Sequence, residues 1–142
     1  MNKIVLVVIG VSLFTTLLSG CSFDKSEEEA RAIYARAENA LNANQLSKAR
    51  AGIDSINKLY PTVIEVRKEG IILKSKIALK ESQDSLQLAD SLLQAAKKNR
   101  ASSEEVALRQ KHFDMLCMKV RFYYKKIDKL NALKARMDAN NE

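Results

Sequence analysis

A heptad pattern in the last third of the chain constrains the fold most. Between residues 106 and 137, apolar side chains return every seventh position in two columns, the spacing of a helix packed lengthwise on another helix. The two columns are Val106, Phe113, Val120, Ile127 and Leu116, Tyr123, Leu130, Met137. Arg109 and Lys134 interrupt them near the ends. The pattern predicts one helix over about Ser103–Ala139 that needs a partner along its length.

A second heptad pattern supplies that partner. Ile72, Leu79, Leu86 and Leu93 recur every seven residues, and three positions after each stands a small residue: Ser75, Ser82, Ala89 and Ala96. Ile71, Ala78, Ser85 and Leu92 flank this face. No turn signal interrupts a helix of about 36 residues, some 54 Å long. Small side chains on its seam favour a close antiparallel neighbour, and Gly70 marks either a close contact or a kink.

The connection between these two helices is predicted to be short. Lys97, Lys98 and Asn99 end the first helix, and Ser102-x-x-Glu105 is a capping box that begins the second. A loop of about five residues forces the second helix to run antiparallel to the first. Residues 61–142 are therefore predicted to form a long antiparallel two-helix hairpin resembling a coiled coil.

Residues 26–60 are predicted to form a shorter helical hairpin. Ser26-x-x-Glu29 reads as a capping box for a helix over about residues 27–41. A turn at residues 42–44 leads to a second helix over about residues 45–59, which ends before Pro61. Thr62-x-x-Glu65 offers a capping box for the helix that follows. After residue 20 the chain has two glycines, one proline and no tryptophan, which favours an all-α fold.

This shorter hairpin resembles one tetratricopeptide unit. With Pro61 on that family's closing proline, its apolar and small signature positions hold Ile33, Ala37, Ala40, Ala49, Ile53 and Ile56. Arg36 departs from the pattern, and a shift of 34 residues meets polar residues, so the sequence contains no second repeat. A single unit cannot bury its own face. The hairpin must therefore close against the rest of this chain or against a partner.

The N-terminal segment is typical of a secretory signal. Lys3 is followed by an apolar run over residues 4–18, which is short for a membrane span, and then by small residues. The run ends in Leu18-Ser19-Gly20-Cys21, which resembles the lipobox of bacterial lipoproteins. An ordinary signal peptide followed by a chance cysteine is the alternative.

The lipobox resemblance implies a mature chain that begins at a lipidated Cys21. In that family the signal is cut between the residues at the positions of Gly20 and Cys21, the thiol receives a diacylglyceryl group, and the new amino terminus is acylated. Residues 21–25 would then be a short tether. The resemblance implies a lipid-anchored protein of the cell envelope, and Ser22 favours the outer membrane, with the face left open.

The net charge of +7 falls to +6 when Lys3 is removed with the signal. A basic balance favours anionic partners, and export removes nucleic acid from among them. Candidate contacts with an anionic surface cluster in the last helix: Lys119, Arg121, Lys125, Lys126 and Lys129. They form either a solvated face or a strip that meets lipid headgroups or an acidic polymer. Exposure of Phe122 or Tyr124 would support such an adhesive surface, and burial of both would contradict it.

No catalytic residue, metal ligand or cofactor is predicted. The single histidine, His112, cannot build a metal site without further ligands and reads as a surface residue. Cys117 lies beside Leu116 and reads as a small buried apolar residue, with a reactive thiol or an intermolecular disulfide as the alternatives. The sequence contains no glycine-rich phosphate loop and no serine-nucleophile elbow.

Two functions fit these features. The first is a lipid-anchored structural or protein-interaction module that binds a protein partner, or itself, through its helices. The second is a basic client-binding or chaperone-like module for unfolded or anionic partners in the envelope. They differ in salt dependence, because a cationic client binder releases its clients as ionic strength rises.

Overall fold

A computed structural model describes the backbone of residues 18–140 and the side chains of residues 25–140. The predicted signal segment before Leu18 and the side chains of Gly20 and Cys21 lie outside this description. Within it the fold is all-α, as predicted, and it consists of four helices without strands. The helices are α1 (Leu18–Asn42), α2 (Leu46–Leu59), α3 (Ile64–Lys98) and α4 (Ser103–Ala139).

Helix α1 begins earlier than predicted. It is continuous from Leu18, so residues 21–25 are helical and Ser26 lies inside the helix instead of capping it. No proline separates Leu18 from Ser26 to stop the helix. Glu27 of the supposed first turn forms an ion pair with Arg31 one turn later, at 2.8 Å. The expected tether is therefore part of the helix.

The connections show where local signals decide the structure. Asn44 has a φ of 57°, and the Gln45 and Asn44 amides donate to the carbonyls of Ala40 and Leu41, which is a Schellman motif. The predicted turn after α1 is confirmed. The Ser102 cap is confirmed too, because its hydroxyl accepts a hydrogen bond from the Glu105 amide at 3.2 Å.

The capping box predicted at Thr62 is wrong. Val63 occupies the N-cap position of α3, and no side chain caps the helix there. The Val63 side chain is buried in the core, and its amide donates to the Tyr60 carbonyl. The guanidinium of Arg67 donates to the Pro61 carbonyl at 2.7 Å. The buried Val63 is thus the N-cap residue, and α3 begins at Ile64, one residue later than a cap at Thr62 would place it.

The core lies where α1 and α2 pack across the first half of α3. Its buried members are Ala30, Ala37, Ala49, Ile53, Ile56, Val63, Val66, Leu73 and Ile77. Four of the six tetratricopeptide-like signature residues are among them, and the other two, Ile33 and Ala40, pack at the edge. The short hairpin therefore closes against its own chain, which is one of the two arrangements that the sequence allows.

Charged side chains join the helices around this core. Arg50 on α2 contacts both carboxylate oxygens of Glu81 on α3 at 2.7 Å. Glu69 on α3 accepts a hydrogen bond from Lys134 on α4 at 2.6 Å and lies 3.9 Å from Arg31 on α1. The hydrogen bond to Glu69 raises the pKa of Lys134. Glu69 thus links three helices.

Helices α3 and α4 form the predicted antiparallel rod. Its register is visible in polar contacts that join Glu69 to Lys134, Gln83 to Tyr124, and Lys97 to Gln110. All four small residues of the α3 seam are buried. The hydroxyls of Ser75 and Ser82 donate to carbonyls one turn earlier in α3, so their burial leaves no polar group unsatisfied.

Gly52 on α2 and Gly70 on α3 provide a matched test of this packing. A Cβ at Gly52 would lie 2.7 Å from the Ala37 Cβ, whereas a Cβ at Gly70 would meet Ile53 at 3.8 Å, an ordinary contact. Helix α3 runs through Gly70 without interruption. We expect Gly70→Ala to raise the free energy of unfolding by about 0.5–1 kcal/mol, because alanine favours the helix.

Gly52→Ala is expected to lower that free energy by about 1–2 kcal/mol, because α1 and α2 must separate to admit the methyl group. Urea denaturation followed by circular dichroism measures both variants. Equal effects of the two substitutions would contradict the close crossing of α1 and α2.

Candidate interaction surface

One side of the rod leaves large apolar side chains uncovered. We name this surface the open flank, and its apolar residues are Ile71 and Leu92 on α3 and Leu108, Met115, Phe122 and Leu133 on α4. Their exposure follows from the helix register. Ile71, Leu92 and Leu133 lie at the edge of the seam, because each directly precedes a position of the first heptad column of its helix. Leu108, Met115 and Phe122 lie farther from the seam, on the same side of α4. With no third helix beside this edge, they remain exposed.

The open flank has a broad depression near the α3–α4 turn. It has a volume of about 790 Å³, and its apolar lining comes from Ala89, Leu92, Leu108 and Met115. Lys111 and His112 border it, and Glu105 lies there in an ion pair with Arg109 at 2.7 Å. An apolar floor with a polar border is the usual composition of a recognition site on a helical surface.

Two further depressions continue the flank toward the other end of the rod. One, of about 110 Å³, lies between Ile71, Ile72 and Met137. The other, of about 440 Å³, lies beside Phe122. Leu130 and Leu133 line both, so the two are contiguous. Apolar surface therefore follows most of the rod on this side.

The border of the open flank is strongly cationic. Seven lysine and arginine side chains line the three depressions: Lys68, Arg109, Lys111, Lys125, Lys126, Lys129 and Lys134. The single acidic lining residue, Glu105, is paired with Arg109, and Lys68 and Lys134 are paired with Glu65 and Glu69. The other four lining cations form no ion pair with a carboxylate of the described residues. An excess of one charge around an apolar groove selects a partner of the opposite charge.

The structure brings together most of the basic residues that the sequence singled out. Lys125, Lys126 and Lys129 line the flank. Lys119 lies on the same side of α4, since it is four residues after Met115 and three before Phe122. Arg121 is exposed but lines none of the three depressions.

The opposite side of the rod is polar and bridged. The amide of Gln83 donates to the Tyr124 hydroxyl at 2.9 Å, and the ammonium of Lys97 approaches the Gln110 amide oxygen at 3.4 Å. Phe122 is 58% exposed and Tyr124 is 50% exposed, so the burial that would contradict an adhesive surface is not observed. The two sides of α4 thus differ in kind, with apolar and basic residues on one and hydrogen-bonded residues on the other.

The other candidate residues take separate positions. His112 is exposed and borders the depression near the α3–α4 turn. Cys117 is half-buried, less than predicted, and is in no disulfide. In the described part of the chain, no three His, Cys, Asp or Glu side chains gather closely enough to hold a metal ion.

Comparison with known protein families, curated proteins and solved structures gives no match for this chain. Over residues 18–140, none of the helices combines the length and the apolarity that crossing a bilayer requires. The function must therefore be inferred from the chain's own residues and their arrangement.

Two substitutions test the seam and the flank of α4. Leu116 is 9% exposed, so Leu116→Ala is expected to lower the free energy of unfolding by about 2–3 kcal/mol. Phe122→Ser is expected to change it by less than about 0.5 kcal/mol, because this ring is largely in solvent. Urea denaturation measures both, and a large loss for Phe122→Ser would show that another surface covers the flank.

Proposed function

We propose that this chain is a lipid-anchored protein of the bacterial cell envelope whose rod serves as a protein-interaction module without catalysis. The observation that carries the proposal is the open flank. An exposed apolar surface that follows most of the rod and is edged by charge is costly to leave in water, and it is characteristic of a surface that binds a partner. The helices then act as a scaffold that holds this surface in shape.

The anchor in this proposal is Cys21. Its position after Leu18-Ser19-Gly20 supports lipidation by resemblance to the lipobox. Burial of an acyl chain contributes about 0.8 kcal/mol per CH₂, and two or more chains are needed for stable attachment. A diacylglyceryl group and an acylated amino terminus together meet that requirement. Ser22 supports the outer membrane by the same resemblance.

The arrangement of the helices supports a rod that projects from the membrane. Tyr60, in the α2–α3 turn, donates a hydrogen bond to Glu29 on α1 at 2.9 Å, and Arg31 lies 3.9 Å from Glu69 near the start of α3. The middle of α1 is thus beside the start of α3, and the turns of α1 before Glu29 extend past it. From there α3 extends for about 52 Å at 1.5 Å per residue. An anchor at Cys21, about two turns before Glu29 in α1, would hold this base near the lipid, with the α3–α4 turn farthest away.

A client-binding or chaperone-like role is the second candidate. It is supported by the apolar depressions with lysine borders, which could hold an unfolded anionic segment as well as a folded partner. The dependence of binding on ionic strength distinguishes the two roles. A client held mainly by charge is released as salt rises, whereas one specific partner held by packing is retained.

The two cysteines provide a matched test of the anchor. We expect Cys21→Ala to abolish metabolic labelling by a palmitate analogue and to release the protein from membranes, because it removes the acylated thiol. Cys117→Ala is expected to retain both label and attachment, since Asp114-Met115-Leu116 before Cys117 does not resemble a lipobox. The measurement is gel fluorescence of the labelled protein with membrane fractionation.

Equal labelling of the wild type and Cys21→Ala would contradict the proposed anchor. Absence of label in all three proteins would contradict it too. Loss of label only in Cys117→Ala would show that Cys117 on α4, and not Cys21, carries the lipid, and it would refute the lipobox interpretation.

A further inference from the structure

We infer that the open flank binds an acidic amphipathic helix of a partner protein, which packs between α3 and α4 as a third helix. This inference rests on the proposed function and specifies its partner. It combines the shape of the flank, its unfilled seam and its charge.

The shape of the flank fits a helix. Ile71 and Leu92 lie at its two ends on α3, and the positions between them in the same heptad column are the small residues Ala78 and Ser85. A row of small side chains between larger ones leaves a shallow groove along the helix pair. The distance from Ile71 to Leu92 corresponds to about 32 Å of helix. Three heptads of a partner helix match that length.

The seam of the rod is incompletely covered. Of the eight apolar residues in the two heptad columns of α4, Leu116 alone is buried, and the other seven are half-buried. On α3, by contrast, all four small seam residues are buried. A pair of helices cannot surround its own seam, and a third helix in the groove would remove more of it from water. This favours a helical occupant over an extended or globular one.

The charge of the flank sets the chemistry of that helix. Four of the lysines that line the depressions form no ion pair with a carboxylate of the described residues, and the one acidic lining residue, Glu105, is paired with Arg109. These lysines are Lys111, Lys125, Lys126 and Lys129. Glutamates or aspartates beside the apolar face of the partner helix would lie opposite Lys126 and Lys129. A second copy of this chain would bring the same cations to the contact, so charge opposes self-association through this flank.

A bilayer is a poorer occupant than a helix. The flank runs along the rod, and the N-terminal turns of α1 extend past the rod's base, so a membrane held there meets only the end near Leu133 and Met137. Leu108 and Met115 lie at the far end. Because α1 is one continuous helix from Leu18, no flexible segment within it would let the rod lie flat.

Site-specific photocrosslinking of the full chain in its own cells tests the inference. A photoreactive phenylalanine analogue replaces either Phe122 on the flank or Tyr124, an aromatic residue of similar exposure on the opposite side of α4. The crosslinked peptide is identified by mass spectrometry. We expect position 122, and not position 124, to crosslink to a protein segment of about three heptads with apolar a and d positions and an acidic excess.

A charge-reversed pair provides the second readout. Lys129→Glu is expected to lower the crosslink yield at position 122 about fivefold, the scale of one surface pair turned from attraction to repulsion. Arg121→Glu changes the net charge equally but lies off the flank, so the yield should stay unchanged.

The outcomes separate this inference from the proposed function. Crosslinking to a protein segment that is not an acidic helix overturns the inference and leaves the interaction module in place. Crosslinking to a second copy of this chain, to lipid or to an anionic polymer overturns the inference that the partner is an acidic helix. Equal yields at positions 122 and 124, or no crosslink at either, remove both the inference and the interaction surface on which the proposed function rests.

Discussion

The packing of two faces of α3 is the interaction on which the rest of the structure depends. One face of its first half, with Val66, Leu73 and Ile77, is buried against α1 and α2. Another face carries the small residues of the seam and receives α4. Full burial of a valine, leucine or isoleucine side chain contributes about 1.5–3 kcal/mol. The short hairpin packs against α3, and the long hairpin contains it. Neither hairpin has a complete core without this helix.

The far half of the rod follows from that constraint. The buried residues shared with the short hairpin end at Ile77, the last ion pair with α2 is at Glu81, and after Glu81 α3 packs against α4 alone. Two helices can cover one seam between them but not its edges, so the residues next to the seam stay in water. On one side, Gln83–Tyr124 and Lys97–Gln110 provide polar contacts. On the other, apolar residues and lysines remain, and this difference produces the candidate surface.

The heptad patterns predicted the rod well because a seven-residue repeat places apolar side chains on the one face of each helix that packs against the other. Helix α4 has the predicted bounds of Ser103–Ala139, and the Ser102 cap forms because nothing nearby competes with it. Sequence reasoning failed where packing overrides a local motif. Thr62-x-x-Glu65 has the residues of a capping box, yet the buried Val63 sets where α3 begins.

The open flank was only partly predictable from sequence. The basic residues and Phe122 were visible, whereas Leu108 and Met115 were missed because analysis of two columns ignores the positions beside them. Their even spacing with Phe122, seven residues apart, was the available signal. Whether such positions are exposed depends on how many helices surround the seam, and a single chain's periodicity does not specify that number.

Hydrogen exchange along α3 tests the central claim most directly. If the first half of α3 holds the fold together, the amides of residues 66–82 should exchange slowest in the purified protein. Those of residues 86–98, covered by α4 alone, should exchange at least about tenfold faster, since fewer contacts oppose local opening. Equal protection along the whole of α3 would contradict the account, because it would mean that the far half of the rod is as fully packed as its base.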